Sequence, residues 1–231
     1  MMAMKAKKRQ KQTMEEKLNT LRAGVLGSND GILTVVGVLV SVAAATTDRF
    51  TIFIAGLSDL LACAFSMASG EYASVSTQKD TEKAAVEKEE KLLKTDYNGE
   101  LAAVRDYYID KGVTPETSTK IAQDLLNKKP LETVVRVKYD IELGHYLNPW
   151  DAAFSSLFSA AAGGLFPLMA MTFAPEAYKW YAVILAVALT SALTGYISSK
   201  LGNGLVKVAV IRNIIIGLIT ITIHYGVGKL F

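Results

Sequence analysis

The sequence predicts an all-α, polytopic membrane protein: five transmembrane helices, with a cytosolic helical bundle inserted between spans two and three. Five apolar runs each reach the roughly 20 residues that a helix needs to cross about 30 Å of hydrocarbon. Between the second and third runs, the 72 positions 78–149 carry fourteen acids and twelve bases, far too many for lipid. Those two populations explain a composition that is 51% hydrophobic yet 20% charged. The formal charge of +3 sums unlike parts and says nothing by itself about partners.

Residues 1–22 form a basic N-terminus, with Lys5, Lys7, Lys8, Arg9 and Lys11. Its simplest role is a topology signal rather than a nucleic-acid tail, so no nucleic-acid partner is expected. The run that follows is longer than a signal-peptide core and reads as a retained span. Residues 23–77 hold the first two spans, with apolar runs over 23–46 and 50–76. The second continues to about Lys94 without a Pro or Gly break, so its helix is expected to project into water. Within 78–149, Asn98 is an expected N-cap for a helix ending near Gly112. Thr114 and Pro115 open another, in the order of cap then Pro. Pro130 permits a last one to about Leu147, before Asn148 and Pro149 break the chain. Residues 150–231 carry spans three to five, with runs over 150–174, 178–199 and 208–228. A cytosolic start then puts the charged segment, Lys200 and Lys207 on the N-terminal side and leaves Arg49, Lys179 and Lys229 opposite, as the positive-inside rule requires.

The chemistry concentrates where charge meets apolar sequence. Asp30 is the only charge in 23–46, and Asp59 and Glu71 are the only ones in 50–76. A mid-bilayer carboxylate costs roughly 2.5 to 3.5 kcal/mol on insertion scales, so such groups point to cation handling. Gly27 and Gly31 flank Asp30 and let a backbone or an ion come close, while Asn29 offers a second oxygen. The structural alternative is an Asp that hydrogen-bonds a neighbouring helix. Asp59, Cys63 and Met67 recur every four residues and rise along one face at about 6 Å per step. A carboxylate with a thioether suits Fe²⁺ or Mn²⁺ better than Ca²⁺ or Mg²⁺. Cys63, the only cysteine, excludes an internal disulfide and is either a packing residue or part of the path. Glu71 falls near the cytosolic end of its span, at headgroup level or at a mouth.

In the charged segment, Glu87 and Glu90 stand one helical turn apart, Glu142 and His145 share an E-x-x-H spacing, and Glu100 lies between them. Acids so spaced on facing helices hold divalent metals in bundles, although solvated helices are rich in Glu for solubility alone. Only two histidines are present, His145 and His224, so a His-rich site is excluded. His224 reads as interfacial. No nucleotide loop, nucleophile triad or zinc signature is present, and the chain is not expected to be an enzyme.

Three blocks together, Ser28-Asn29-Asp30-Gly31, Ala55-Gly56-Leu57 with Asp59, and Ser66-Met67-Ala68-Ser69-Gly70-Glu71-Tyr72, closely resemble the vacuolar iron transporter family. The resemblance continues through Gln78-Lys79-Asp80 and through Gly163-Gly164-Leu165-Phe166-Pro167-Leu168, and covers nearly the whole chain from about Leu21. It implies a homodimer of five-span protomers that exports Fe²⁺, and often Mn²⁺, from the cytosol in exchange for protons. Asp30, Asp59 and Met67 match its path positions. Glu87, Glu90, Glu100 and Glu142 match four glutamates of its cytosolic metal-binding domain, here 78–149. Three departures stand out: Ala103 in place of a Glu, Lys138-Tyr139 in place of a Met pair, and Glu71 in place of a Gly.

The expected function is proton-coupled export of a divalent transition metal, with metal ligands Asp30, Asp59, Met67, Glu71, Glu87, Glu90, Glu100 and Glu142. No resident cofactor is required; Fe²⁺ or Mn²⁺ binds transiently as cargo. The expected partners are those ions, protons, the lipid membrane and a second copy of the chain. The expected site is the plasma (inner) membrane of a prokaryote or the vacuolar membrane of a eukaryote. The alternatives are a ferroxidase-like carboxylate bundle, and a metal-binding membrane module without transport.

Overall fold

A computed structural model describes residues 14–230; the basic cluster from Lys5 to Lys11 lies outside them. The helices are α1 (Met14–Ala45), α2 (Arg49–Thr95), α3 (Tyr97–Asp110), α4 (Pro115–Lys128), α5 (Pro130–Tyr139), α6 (Pro149–Phe173), α7 (Lys179–Leu201) and α8 (Val206–Gly228). A 3-10 turn, Glu176–Tyr178, leads into α7. No strand occurs among the described residues. Five helices, α1, α2, α6, α7 and α8, are long and apolar enough to cross a membrane. The all-α polytopic fold predicted from the apolar runs is therefore what the chain adopts.

The chain divides into two compact units, one drawn from the segment up to Ala73 and from Asn148 onward, the other Ser74–Leu147. In the first, α1 is the central helix, and its close neighbour is α6. A Cβ on Gly31 would land on the Ala160 carbonyl, and one on Gly27 would reach the Ser156 carbonyl. From the other side, a Cβ on Gly163 would strike the Ser28 carbonyl. Lipid tails are as apolar as Leu, so close backbone approach replaces the hydrophobic effect as the source of cohesion between spans. Around this contact the apolar side chains interlock. Ile32, Val35, Val36 and Leu39 of α1 meet Ile52 and Leu60 of α2, Leu168 of α6, Val183 and Val187 of α7 and Ile221 of α8.

Hydroxyls add polar ties between the spans. Ser28 and Thr194 share a hydrogen bond of 2.9 Å between α1 and α7, and the Ser155 hydroxyl of α6 donates to the Thr20 carbonyl at 2.8 Å. His224 of α8 is bound to α1, its Nδ1 lying 3.2 Å from the Ser41 hydroxyl, which also bonds the His224 carbonyl at 3.0 Å. It is half-buried against Gly37 rather than simply facing headgroups. Aromatic pairs mark both ends of the spans. Tyr72 meets Trp150 at 4.8 Å at one end, and Trp180 meets Tyr225 at 5.3 Å at the other, as interfacial rings do.

The second unit packs the end of α2 with α3, α4 and α5 around Val104, Ala122, Leu126 and Val134. Two boundaries differ from the sequence reading. The N-cap of α3 is Asp96 rather than Asn98, because the Asp96 carboxylate accepts from the Gly99 amide at 3.0 Å. Helix α5 ends at Tyr139, not near Leu147. Asp140 turns into the left-handed region at φ 58°, and the amide of buried Ile141 donates back to the Val135 carbonyl at 3.3 Å. With the Asp140 amide also donating to the Arg136 carbonyl at 3.1 Å, this is an αL stop, built without the usual glycine.

The glycine contacts yield a direct prediction. Gly31→Ala should cost about 1 to 3 kcal/mol, as overpacking against a backbone does. Gly226→Ala, where a Cβ meets nothing within 4 Å, should be neutral or slightly stabilising. Thermal melting of the detergent-solubilised protein checks both, and equal melting temperatures would contradict the packing described.

Candidate functional site

The intramembrane acids come together through α1 and α2. Asp30 and Thr34 are four residues apart and share one face of α1. Gly27 and Gly31 occupy the neighbouring face, turned to α6. The glycines beside Asp30 thus admit a backbone, and the half-buried carboxylate stands on the next face of α1. On α2, Asp59 and Cys63 are half-buried one turn apart, close to the Thr34 side chain of α1. Asp59, Cys63 and Thr34 therefore lie together, and Asp30 stands one turn from Thr34 along α1. Oδ2 of Asp59 is buried and has no hydrogen-bond partner among the described residues. A desolvated carboxylate oxygen left open in this way is a strong acceptor for a cation or a proton.

Helix α2 is unbroken from Arg49 to Thr95, so the stripe continues regularly. Met67 lies two turns beyond Asp59, half-buried, and Glu71 follows one turn later. Glu71 is buried, and the nearest base to its Oε2 is Arg22 of α1, at 3.9 Å. That oxygen also makes no hydrogen bond among the described residues. Glu71 is therefore not a headgroup-facing acid: two orphaned carboxylate oxygens mark the stripe, one at Asp59 and one at Glu71.

The Ser74–Leu147 unit holds a different arrangement. Glu87 and Glu90 are exposed, and Glu90 accepts from Lys94 at 2.9 Å. Glu142 and His145 lie beyond the end of α5 in an irregular segment, with Nε2 3.9 Å from Oε1. The E-x-x-H spacing is thus not on a helix, which removes the geometry that a ferritin-like carboxylate site needs. Among the described residues, no three of His, Cys, Asp and Glu are grouped to hold one metal ion. Of the four glutamates singled out, only Glu100 enters a buried cluster, and its partner there is Glu89.

Lys138 joins these two. Its ammonium donates to Glu89 at 2.7 Å and to both oxygens of Glu100 at 2.9 Å. The Tyr139 hydroxyl donates to the remaining Glu89 oxygen at 2.7 Å. Burial disfavours charge at both Glu89 and Lys138, yet the hydrogen bonds prevail. Glu89 is held below its ordinary value by Lys138 and Tyr139, and Lys138 above its own by Glu89 and Glu100. Sequence reasoning passed over Glu89 because it sits in a charged string. Its signal is helical spacing: Val86 and Leu93 place it on the apolar face. Thr34 was missed likewise, although it stands four residues after Asp30.

Comparison with known proteins follows the same residues. A family profile described as the VIT family matches residues 21–229. A protein named vacuolar iron transporter, from Acanthamoeba castellanii, is 35% identical over 213 residues, covering 91% of this chain and 78% of its own. A vacuolar iron transporter homolog 1 of Oryza sativa subsp. japonica is 33% identical over 91% of this chain and 73% of its own. A VIT-like transporter 1b of Glycine max is 27% identical over 91% and 75%.

The Lys138 cluster predicts how stability varies with pH. Glu89, lowered from 4.5, contributes above its unfolded value and loses that contribution as pH falls through the lower folded value. Lys138, raised from 10.5, contributes fully below its unfolded value and loses it as pH rises through the higher folded one. The contribution should be flat between about pH 5 and 10. Glu89→Ala should cost about 3 kcal/mol in that window, read as a roughly 100-fold loss of amide-exchange protection in α3 and α5.

Proposed function

The chain belongs to the VIT family, and from that premise we propose that it is a transporter exporting Fe²⁺ or Mn²⁺ from the cytosol in exchange for protons. The observation that carries this reading is the orphaned Asp59 oxygen beside Thr34 and Cys63 in the middle of two apolar helices. In this scheme the acids carry protons while the path is empty, since hydrocarbon penalises charge. An arriving divalent ion favours the carboxylates and displaces those protons, which couples the two fluxes. Asp30 and Asp59 are the exchanging ligands in this scheme. Met67 biases the choice toward softer ions. Glu71, held loosely by Arg22, receives the ion at the cytosolic mouth.

The working unit is a homodimer. Ser58, Leu61, Ala62, Phe65, Ser66 and Ser69 leave one side of α2 uncovered, next to the half-buried Asp59, Cys63 and Met67. Lipid against intramembrane carboxylates is costly, and a second copy of α2 and α1 covers them while supplying a matching set of ligands. The protein is an integral membrane protein. The segment 78–149 is placed in the cytosol by the distribution of bases. There the exposed Glu87, Glu90 and Glu142 attract cations diffusely rather than fix one, and no resident cofactor takes part.

In sealed proteoliposomes, Asp30→Ala and Asp59→Ala should each bring Fe²⁺ and Mn²⁺ flux down to the empty-vesicle rate. Met67→Ala should retain flux but lose preference for Fe²⁺ over harder divalent ions in competition. A wild-type rate in Asp30→Ala would refute the path.

A further inference from the structure

The bundle glutamates raise a question that the spans do not. A carboxylate pair drawn from different helices and closed to water needs a positive charge between its members, and in metal-holding bundles a divalent ion supplies it. Here Glu89 of α2 is 0% exposed and Glu100 of α3 is 4% exposed. The charge between them comes from α5. Lys138 donates to Glu89 Oε2 and, through a contact shared between the two oxygens, to Glu100 Oε1 and Oε2. The fourth oxygen, Glu89 Oε1, is taken by the Tyr139 hydroxyl. Every oxygen of the pair thus has a donor from adjacent residues of one helix.

We infer that Lys138 is the resident cation of this bundle: its ammonium fills the place that a divalent ion would need between Glu89 and Glu100, and closes that place to metal. A Mn²⁺ or Fe²⁺ ion bound to these oxygens at the usual 2.0 to 2.2 Å, about the range of first-row divalent ions, would share their focus with the ammonium. Coulomb repulsion between the two cations forbids joint occupancy. The other acids do not provide a second place, since Glu87 and Glu90 are exposed and Glu142 is in the irregular segment after α5. The bundle is accordingly an ion-pair lock between α2, α3 and α5 rather than a metal store. Lys138 is the residue that determines this, and Lys138→Met should convert the pair into a divalent-cation site.

The test counts bound Mn²⁺ on the full-length, detergent-solubilised protein at neutral pH by equilibrium dialysis, with Mn²⁺ as the only probe. Lys138→Met should bind about one more ion per chain than wild type, as an opened carboxylate pair does. Adding Glu89→Gln and Glu100→Gln to that variant should remove the extra ion. An unchanged count in a folded Lys138→Met protein would overturn the inference. Glu89→Gln with Glu100→Gln in a chain that keeps Lys138 gives a second reading that does not need Lys138→Met to fold. The wild-type count should persist, and loss of about one ion would show that the pair already holds metal. No flux is measured, so the outcome is independent of the transport reading.

Discussion

A carboxylate withdrawn from water must be given a positive partner or a proton, and the chain meets this requirement in two opposite ways. In the Ser74–Leu147 unit, the partner is covalently part of the protein: Lys138 is directed onto Glu89 and Glu100, and Tyr139 completes their hydrogen bonding. In the spans, the partner is incomplete: Glu71 has only Arg22 at 3.9 Å, and no base is paired with Asp59 among the described residues. One oxygen of Asp59 and one of Glu71 remain without hydrogen bonds among the described residues. The first arrangement is complete and therefore holds helices together. The second is incomplete and therefore suits something mobile.

Packing separates these two tasks. Helix α1 turns Gly24, Gly27 and Gly31 to α6 and Gly37 to α8, while Asp30 stands on a neighbouring face, so cohesion and chemistry occupy different sides of the same helix. The ties made by Ser28, Ser41 and Ser155 lie with the packing side, reaching α7, α8 and from α6 back to Thr20. In the membrane unit these three hydroxyls are satisfied across helices, whereas one oxygen each of Asp59 and Glu71 is not.

How much was legible in the sequence follows from the same physics. Charges inside apolar runs are costly and rare, so Asp30, Asp59 and Glu71 announced themselves, and the five spans followed from length alone. Thr34 did not stand out, because a threonine in a span usually bonds its own backbone and carries no cost worth noticing. In the water-facing segment the signals were weaker. Asp96 and Asn98 are both good caps two residues apart, and the choice fell to a hydrogen bond with Gly99. The end of α5 was overrun because Asp140, an ordinary residue in most settings, takes a conformation that glycine usually marks. Glu89 was hidden by its neighbours, since composition shows a charged string and only the tertiary fold decides which member turns inward.

The glycine seam also fixes what can move. With the Ala160 carbonyl occupying the space of a Gly31 side chain, and the Ser28 carbonyl that of a Gly163 side chain, each backbone is keyed into the other. Turning α1 about its own axis by a single position would drive Ile32 or Ser28 into that seam. The seam ties α1 to α6 backbone to backbone, so the direction in which α1 presents Asp30 is set by α6.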